Sequence, residues 1–98
     1  MALRSYRNAA TAAIAAGLVT KQTLKVLPRE LHYAAYKRIV YLDNIETLDS
    51  LIAWSGLHLE KLTGDRKGQL SIRINLKYRI CFRFKAGDIF DLEIVDYH

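Results

Sequence analysis

The chain has 98 residues, 51% of them hydrophobic on a broad count, and a formal charge of +5 from 15 Lys/Arg against 10 Asp/Glu. That length suits a single α+β domain over residues 1–98, with enough apolar content to bury a core without metal or crosslink. Its single cysteine, Cys81, excludes an intrachain disulfide, and no apolar run approaches the roughly 20 residues of a membrane span, so a cytoplasmic protein without membrane contact is expected.

The elements follow in chain order. Ser5 and Tyr6 suit the end of a short first strand. Asn8 is placed to cap a helix over Ala9 to Ala16, which Gly17 stops at the C′ position. This alanine-rich segment is too short and too poor in leucine for a secretory signal. After a polar linker, Pro28 fits the first turn of a second helix, whose apolar stripe is Leu31, Ala35, Ile39 and Leu42. His32, Lys37 and Arg38 fall off that stripe and are expected to face solvent. Thr47 is expected to cap a short helical turn through Leu51, after which Trp54 and Gly56 lead into a sheet.

From Gly64 to Val95 apolar and polar residues alternate. Leu70, Ile72, Ile74 and Leu76, then Tyr78, Ile80, Phe82 and Phe84, then Phe90, Leu92 and Ile94 share one parity and are expected to face the core. A three-residue loop, Ala86-Gly87-Asp88, preserves that rule and sets Arg83 opposite Asp91 and Arg79 opposite Val95. In the preceding hairpin the same rule favours Asn75 opposite Arg79 and Arg73 opposite Cys81. Arg73 then lies diagonally between Arg79 and Arg83, within reach of both. Continuing the last strand puts Tyr97 opposite Lys77 on the polar face. Cys81 reads as a core thiol.

Charge is unevenly distributed. Residues 1–40 carry seven Lys/Arg against one acid and residues 61–85 eight against one, whereas 41–60 and 86–98 each carry four acids and no Lys/Arg. Basic character thus collects in the helical front and the first strands, as suits a surface that tracks a polyanion; a merely solvated face is the alternative. His32, His58 and His98 are scattered, so no metal site is expected. Asp96, Tyr97 and His98 bring an acid, a phenol and an imidazole together beside Arg79. Attack of a ribose 2′-hydroxyl on the adjacent phosphorus needs a base, an acid and a cation, and no metal or other cofactor. Arg79 has the fork to bind the phosphate, and Arg83 serves mainly as an ion-pair partner of Asp91. The acid and base are left open among residues 96–98.

Several segments in one order carry a resemblance: Gly64-Asp65-Arg66-Lys67-Gly68-Gln69, Ser71-Ile72-Arg73-Ile74-Asn75, Arg79-Ile80-Cys81-Phe82 and Glu93-Ile94-Val95-Asp96-Tyr97-His98. Together they resemble the HigB toxins of the RelE superfamily over residues 57–98. The likeness extends more loosely to Ser5-Tyr6-Arg7-Asn8 and to Leu42-Asp43-Asn44 followed by Thr47-Leu48. It implies N-terminal helices packed on one face of a small antiparallel sheet and a ribosome-dependent mRNA endonuclease acting in the ribosomal A site. It also implies a HigA-like helix-turn-helix antitoxin, through which alone the chain would meet DNA. The resemblance assigns catalysis to Arg79, Asp96, Tyr97 and His98. RNA or ribosome contacts are expected from Arg66, Lys67, Arg73, Lys61 and Arg83, although Arg66 and Lys67 can equally serve to solubilise a turn. Where the family often holds a lysine just before the Gly64 segment this chain has Thr63, and Glu60 stands where some members place a histidine. A weakened toxin that keeps antitoxin or ribosome binding, or a co-repressor, is therefore the alternative.

Overall fold

The computed structural model describes residues 1–96. Tyr97 and His98, and the expected pairing of Tyr97 with Lys77, lie outside the described residues.

Asn8 caps α1 (Ala9–Ala15) as expected, its Oδ1 accepting from Thr11 N at 2.9 Å, and Gly17 follows with a φ of +79°. The linker proves to contain a second helix, α2 (Lys21–Val26). Its start is a reciprocal cap: Thr20 Oγ1 accepts from Thr23 N at 3.1 Å and Thr23 Oγ1 from Thr20 N at 2.8 Å. Such a threonine pair satisfies two orphan donors of a first turn. Pro28 opens only a 3₁₀ turn (Arg29–Leu31), after which α3 (His32–Asn44) presents Ala35, Ile39 and Leu42 to the core. Two residues expected in solvent are not there. His32 is buried because its ring folds back to put Nε2 2.8 Å from the Leu27 carbonyl. Arg38 is half-buried, donating from Nε to Arg73 O at 2.9 Å and from Nη1 to Ala34 O at 3.1 Å. α4 (Asp49–Ala53) begins without a side-chain cap, so Thr47 contributes its carbonyl, accepting from Ser50 N, and not its hydroxyl.

The sheet holds β1 (Ala2–Leu3), β2 (Glu60–Lys61), β3 (Leu70–Arg73), β4 (Tyr78–Lys85) and β5 (Asp88–Asp96) in the order β1-β5-β4-β3-β2. It is mixed where an all-antiparallel sheet was expected, because β1 runs parallel to β5. The segment after β1 continues this pairing: Ser5 O accepts from Leu92 N, and Arg7 N donates to Leu92 O. The helices pack on the face that carries Ile72, Ile80, Phe82, Leu92 and Ile94, forming one apolar cluster with Ile14, Leu27, Ile39 and Leu42. Buried Thr11 Oγ1 accepts from Ile94 N at 3.2 Å and ties α1 to β5.

Both hairpins differ from the expected register. Asn75 Oδ1 accepts from Lys77 N at 2.9 Å and Tyr78 N at 2.8 Å, a local turn that ends β3 at Arg73. Pairing consequently slides by two residues: Arg73 faces Arg79 and Ser71 faces Cys81, while Leu76 is 90% exposed. In the last hairpin the loop is the two-residue Ala86-Gly87, with φ of 52° and 83°, the doubly positive geometry of a type I′ turn. Arg83 is therefore opposite Phe90, which leaves the core parity. A bulge between Cys81 and Arg83, with Asp91 at a φ of 54°, then restores the expected Arg79–Val95 pairing.

Candidate functional site

On the face away from the helices, three rows of side chains cross the sheet. The first joins Arg73, Arg79 and Val95, the second Glu60, Ser71, Cys81 and Glu93, and the third Arg83 and Phe90.

Arg79 is only 6% exposed. Its guanidinium is held on three sides. Nε donates to Ser71 Oγ at 2.7 Å, Nη2 donates to the His58 carbonyl and more weakly to Ser71 O at 3.3 Å, and Nη1 lies 4.0 Å from Glu60 Oε1. The His58 carbonyl can reach because His58 has a left-handed φ of 46° after a 3₁₀ turn (Ser55–Leu57). A non-glycine residue in that region carries a conformational cost that the surrounding contacts must offset. Sequence reasoning found Arg79 but missed the residues that fix it. Ser71 and Glu60 were hidden by the two-residue slide, and a backbone carbonyl leaves no trace in side-chain pattern.

Arg73, directly opposite, has no carboxylate within 4 Å among the described residues. Two arginines facing each other across a ladder repel, an arrangement that a bound anion relieves.

In the middle row Glu93 receives Arg66 Nη1 at 3.1 Å and Arg7 Nε at 3.9 Å, and Arg66 Nη1 also donates to Gln69 Oε1 at 3.1 Å. Arg7, Arg66, Arg83, Asp65, Gln69 and Glu93 line a polar recess of about 510 Å³. Cys81 is fully buried beside this cluster. Burial pushes its thiol pKa up, Arg66 and Arg79 pull it down, and Glu93 adds to the rise, with a net upward result. The thiol is thus kept protonated, as the core reading required.

Arg83 Nε lies 3.7 Å from Asp91 Oδ2, so the expected ion pair forms although the expected register does not. Gly68, at a φ of 92°, makes room for it: a Cβ there would stand 2.9 Å from Arg83 Nη1. Lys67 is exposed in the preceding loop. Lys61 pairs with Leu70 on the other parity and lines one groove with Leu51, Ile52 and Trp54 and another recess with Lys67 and Gly68. Asp96, opposite Tyr78, is exposed, with Lys77 Nζ 3.5 Å from its Oδ2. The structure therefore gathers Arg66, Arg73, Arg79 and Arg83 on one face, with Asp96 on the strand beside them.

The family model for the RelE-like toxin of the type II toxin-antitoxin system HigB matches residues 19–98. The chain is also 30% identical over 63 residues to Toxin HigB-1 of Vibrio cholerae serotype O1 (strain ATCC 39315 / El Tor Inaba N16961), an overlap covering 64% of this chain and 66% of that toxin. The chain thus spans just under two thirds of the curated relative it matches. With the match reaching from the linker before α2 through the arginine face, this chain belongs to the HigB-like family of RelE-like toxins of type II toxin-antitoxin systems.

Proposed function

We propose that this chain is a toxin that cleaves mRNA on the ribosome by metal-independent attack of the ribose 2′-hydroxyl, and that a HigA-like helix-turn-helix antitoxin neutralises it. The observation that carries this reading is Arg79 facing Arg73, with the Arg79 guanidinium already oriented by Ser71 and His58. A preoriented cation next to a less constrained one suits the extra negative charge of a pentavalent phosphorus, because little reorganisation is left for the reaction itself. Asp96, Tyr97 and His98 supply the proton transfers. An imidazole that titrates near neutrality can give or take a proton there. Arg66, Lys67 and Arg83 extend the cationic surface toward the ribosome. Positioned proton transfer contributes roughly 10²–10⁴-fold, which is modest for a free nuclease and accounts for the ribosome's part in positioning the message.

A second reading has its own support. Arg79 is buried, and Glu60 stands at 4.0 Å from its Nη1, so the anion slot is partly claimed by the chain's own carboxylate. A weakened toxin that retains antitoxin or ribosome binding accommodates this. Mapping message ends by primer extension after expression separates the two. New 5′-hydroxyl ends within translated message support the nuclease, and their absence at a verified protein level supports the weakened toxin.

A further inference from the structure

The polar recess around Glu93, one row from Arg79, has a composition that phosphate binding alone does not call for. Arg7, Arg66 and Arg83 line it together with Asp65 and Glu93. Asp91, 3.7 Å from Arg83, makes the signs equal at three of each. A phosphate entering here would meet Glu93 as well as the guanidinia, and the carboxylate would repel it. The recess, about 510 Å³, has room for a nucleobase.

Much of its hydrogen-bonding capacity is unspent. Arg66 commits one nitrogen, Nη1, to Glu93 Oε1 and to Gln69 Oε1, each at 3.1 Å. Arg7 Nε and Arg83 Nε stand 3.9 and 3.7 Å from their carboxylates, beyond hydrogen-bond distance. Both Arg7 and Arg66 approach Glu93 at Oε1, which leaves Oε2 to accept from elsewhere. Gln69 is 5% exposed, and its amide nitrogen makes no hydrogen bond among the described residues. Buried polar groups are nearly always paired, so a spare donor in the wall of a polar recess is one that a ligand satisfies.

We propose that this recess reads a guanine next to the scissile phosphate of the message. Guanine sets two neighbouring donors, N1–H and N2–H, beside two neighbouring acceptors, O6 and N7. A carboxylate takes the first pair and an arginine fork the second. Glu93 supplies the one, and Arg7, Arg66 and Arg83 converge to supply the other. Adenine would turn the bare N1 lone pair toward Glu93, and the pyrimidines have no N7 for the fork. The position agrees with the chemistry. Glu93 and Val95 are two residues apart on one face of β5, about 7 Å at the rise of a strand, and Val95 shares its row with Arg79 and Arg73. A phosphate held by those two arginines therefore has the recess about one nucleotide away on one side, with Asp96 on the other. The inference rests on the mRNA-cleaving reading and gives it a base preference.

The test maps cut positions by primer extension on reporter messages whose codons vary around the cut, for wild type, Glu93→Gln and Arg7→Ala. Wild type should favour guanine at one position flanking the cut by about tenfold, within what a bidentate base contact contributes. Glu93→Gln replaces two acceptors by an acceptor and a donor, the pattern that suits adenine, so the preference should move from guanine toward adenine. Arg7 is more than half exposed, and truncating it should leave the fold intact. Arg7→Ala should therefore lower the guanine preference, and it decides the matter if Glu93→Gln misfolds. Cutting without a guanine preference, or with one that every folded variant keeps, overturns the proposal and leaves a structural ion-pair network, while the nuclease reading stands. If the chain cuts nothing, titration of the purified protein with guanosine and adenosine 5′-monophosphates decides. Tighter binding of the guanine nucleotide, lost in the folded variants, keeps the recess and defeats the nuclease reading; equal binding, or none, defeats both.

Discussion

Arg79 donates from Nε to Ser71 Oγ at 2.7 Å, one row along the sheet from its own strand partner, Arg73. The two arginines therefore share a face but not a condition. One is buried and oriented, whereas the other is partly exposed without an acidic partner among the described residues.

From this difference, Arg79→Ala should cost both cleavage and stability. It leaves the buried Ser71 hydroxyl and the His58 carbonyl short of a partner, at about 1–3 kcal/mol. Arg79→Lys keeps the charge but cannot reproduce the fork, so cleavage should stay low. Primer extension on a reporter message, paired with thermal melts, measures both effects.

Arg73→Ala should instead leave the melting temperature nearly unchanged, within the roughly 0.5 kcal/mol of a surface substitution, while weakening RNA engagement. Ribosome association of the wild-type chain should decline as salt rises, and the Arg73 variant should decline less steeply because one phosphate contact is gone. Equal salt slopes would remove Arg73 from the RNA surface.

Glu60→Gln should raise activity. The Glu60 side chain is half exposed and lies 4.0 Å from Arg79 Nη1, where it would compete with a phosphate. Screened pairs of this kind contribute at most about 1 kcal/mol, so a gain of about fivefold is the upper expectation. Single-turnover cleavage on programmed ribosomes reads it directly, and an unchanged or lower rate would make Glu60 an orienting group.

His98→Ala should reduce cleavage by about 10²–10⁴-fold, the contribution of positioned proton transfer, with antitoxin binding preserved. Cleavage at the wild-type rate would shift the chemistry to Asp96 and Tyr97.

Cys81 should resist alkylation in the native protein and react on unfolding, because burial raises its pKa. The sign for stability follows. Above the ordinary thiol value of 9.0 the unfolded chain loses this proton while the folded chain keeps it, so rising pH favours unfolding there. Cys81→Ala should remove that part of the alkaline destabilisation, as urea midpoints across pH would reveal.

The alternation of apolar residues made most of the sheet's buried face legible, since parity survives a slide of two residues; it failed at Leu76 and, before the bulge, at Ile89 and Phe90. What parity could not supply was where each hairpin turns. Asn75 closing its own turn and Ala86-Gly87 adopting two positive φ values are local choices that shift partners without changing which residues are polar. Arg83 and Asp91 illustrate the point, because their ion pair forms across a misread register. The helical part was harder. α2 has no long apolar stripe to reveal it and begins on a threonine cap, while the burial of His32 depends on a carbonyl contact that periodicity does not encode.

The bulge at Asp91 divides β5 into two independently phased halves. On the far side of it, Glu93 meets Arg66 and Ile94 meets the core; on the near side, Ile89 takes the core position and Phe90 the outer one. Removing one residue here would rotate the strand between the bulge and the hairpin by half a repeat, exchanging Ile89 for Phe90 on the inner face and disturbing the Arg83–Phe90 row and the Arg83–Asp91 ion pair, while leaving the rows of Arg79 and Glu93 untouched. Strand length at this point is thus under tighter constraint than residue identity, and the tip of the hairpin can change its sequence without disturbing Arg73 or Arg79.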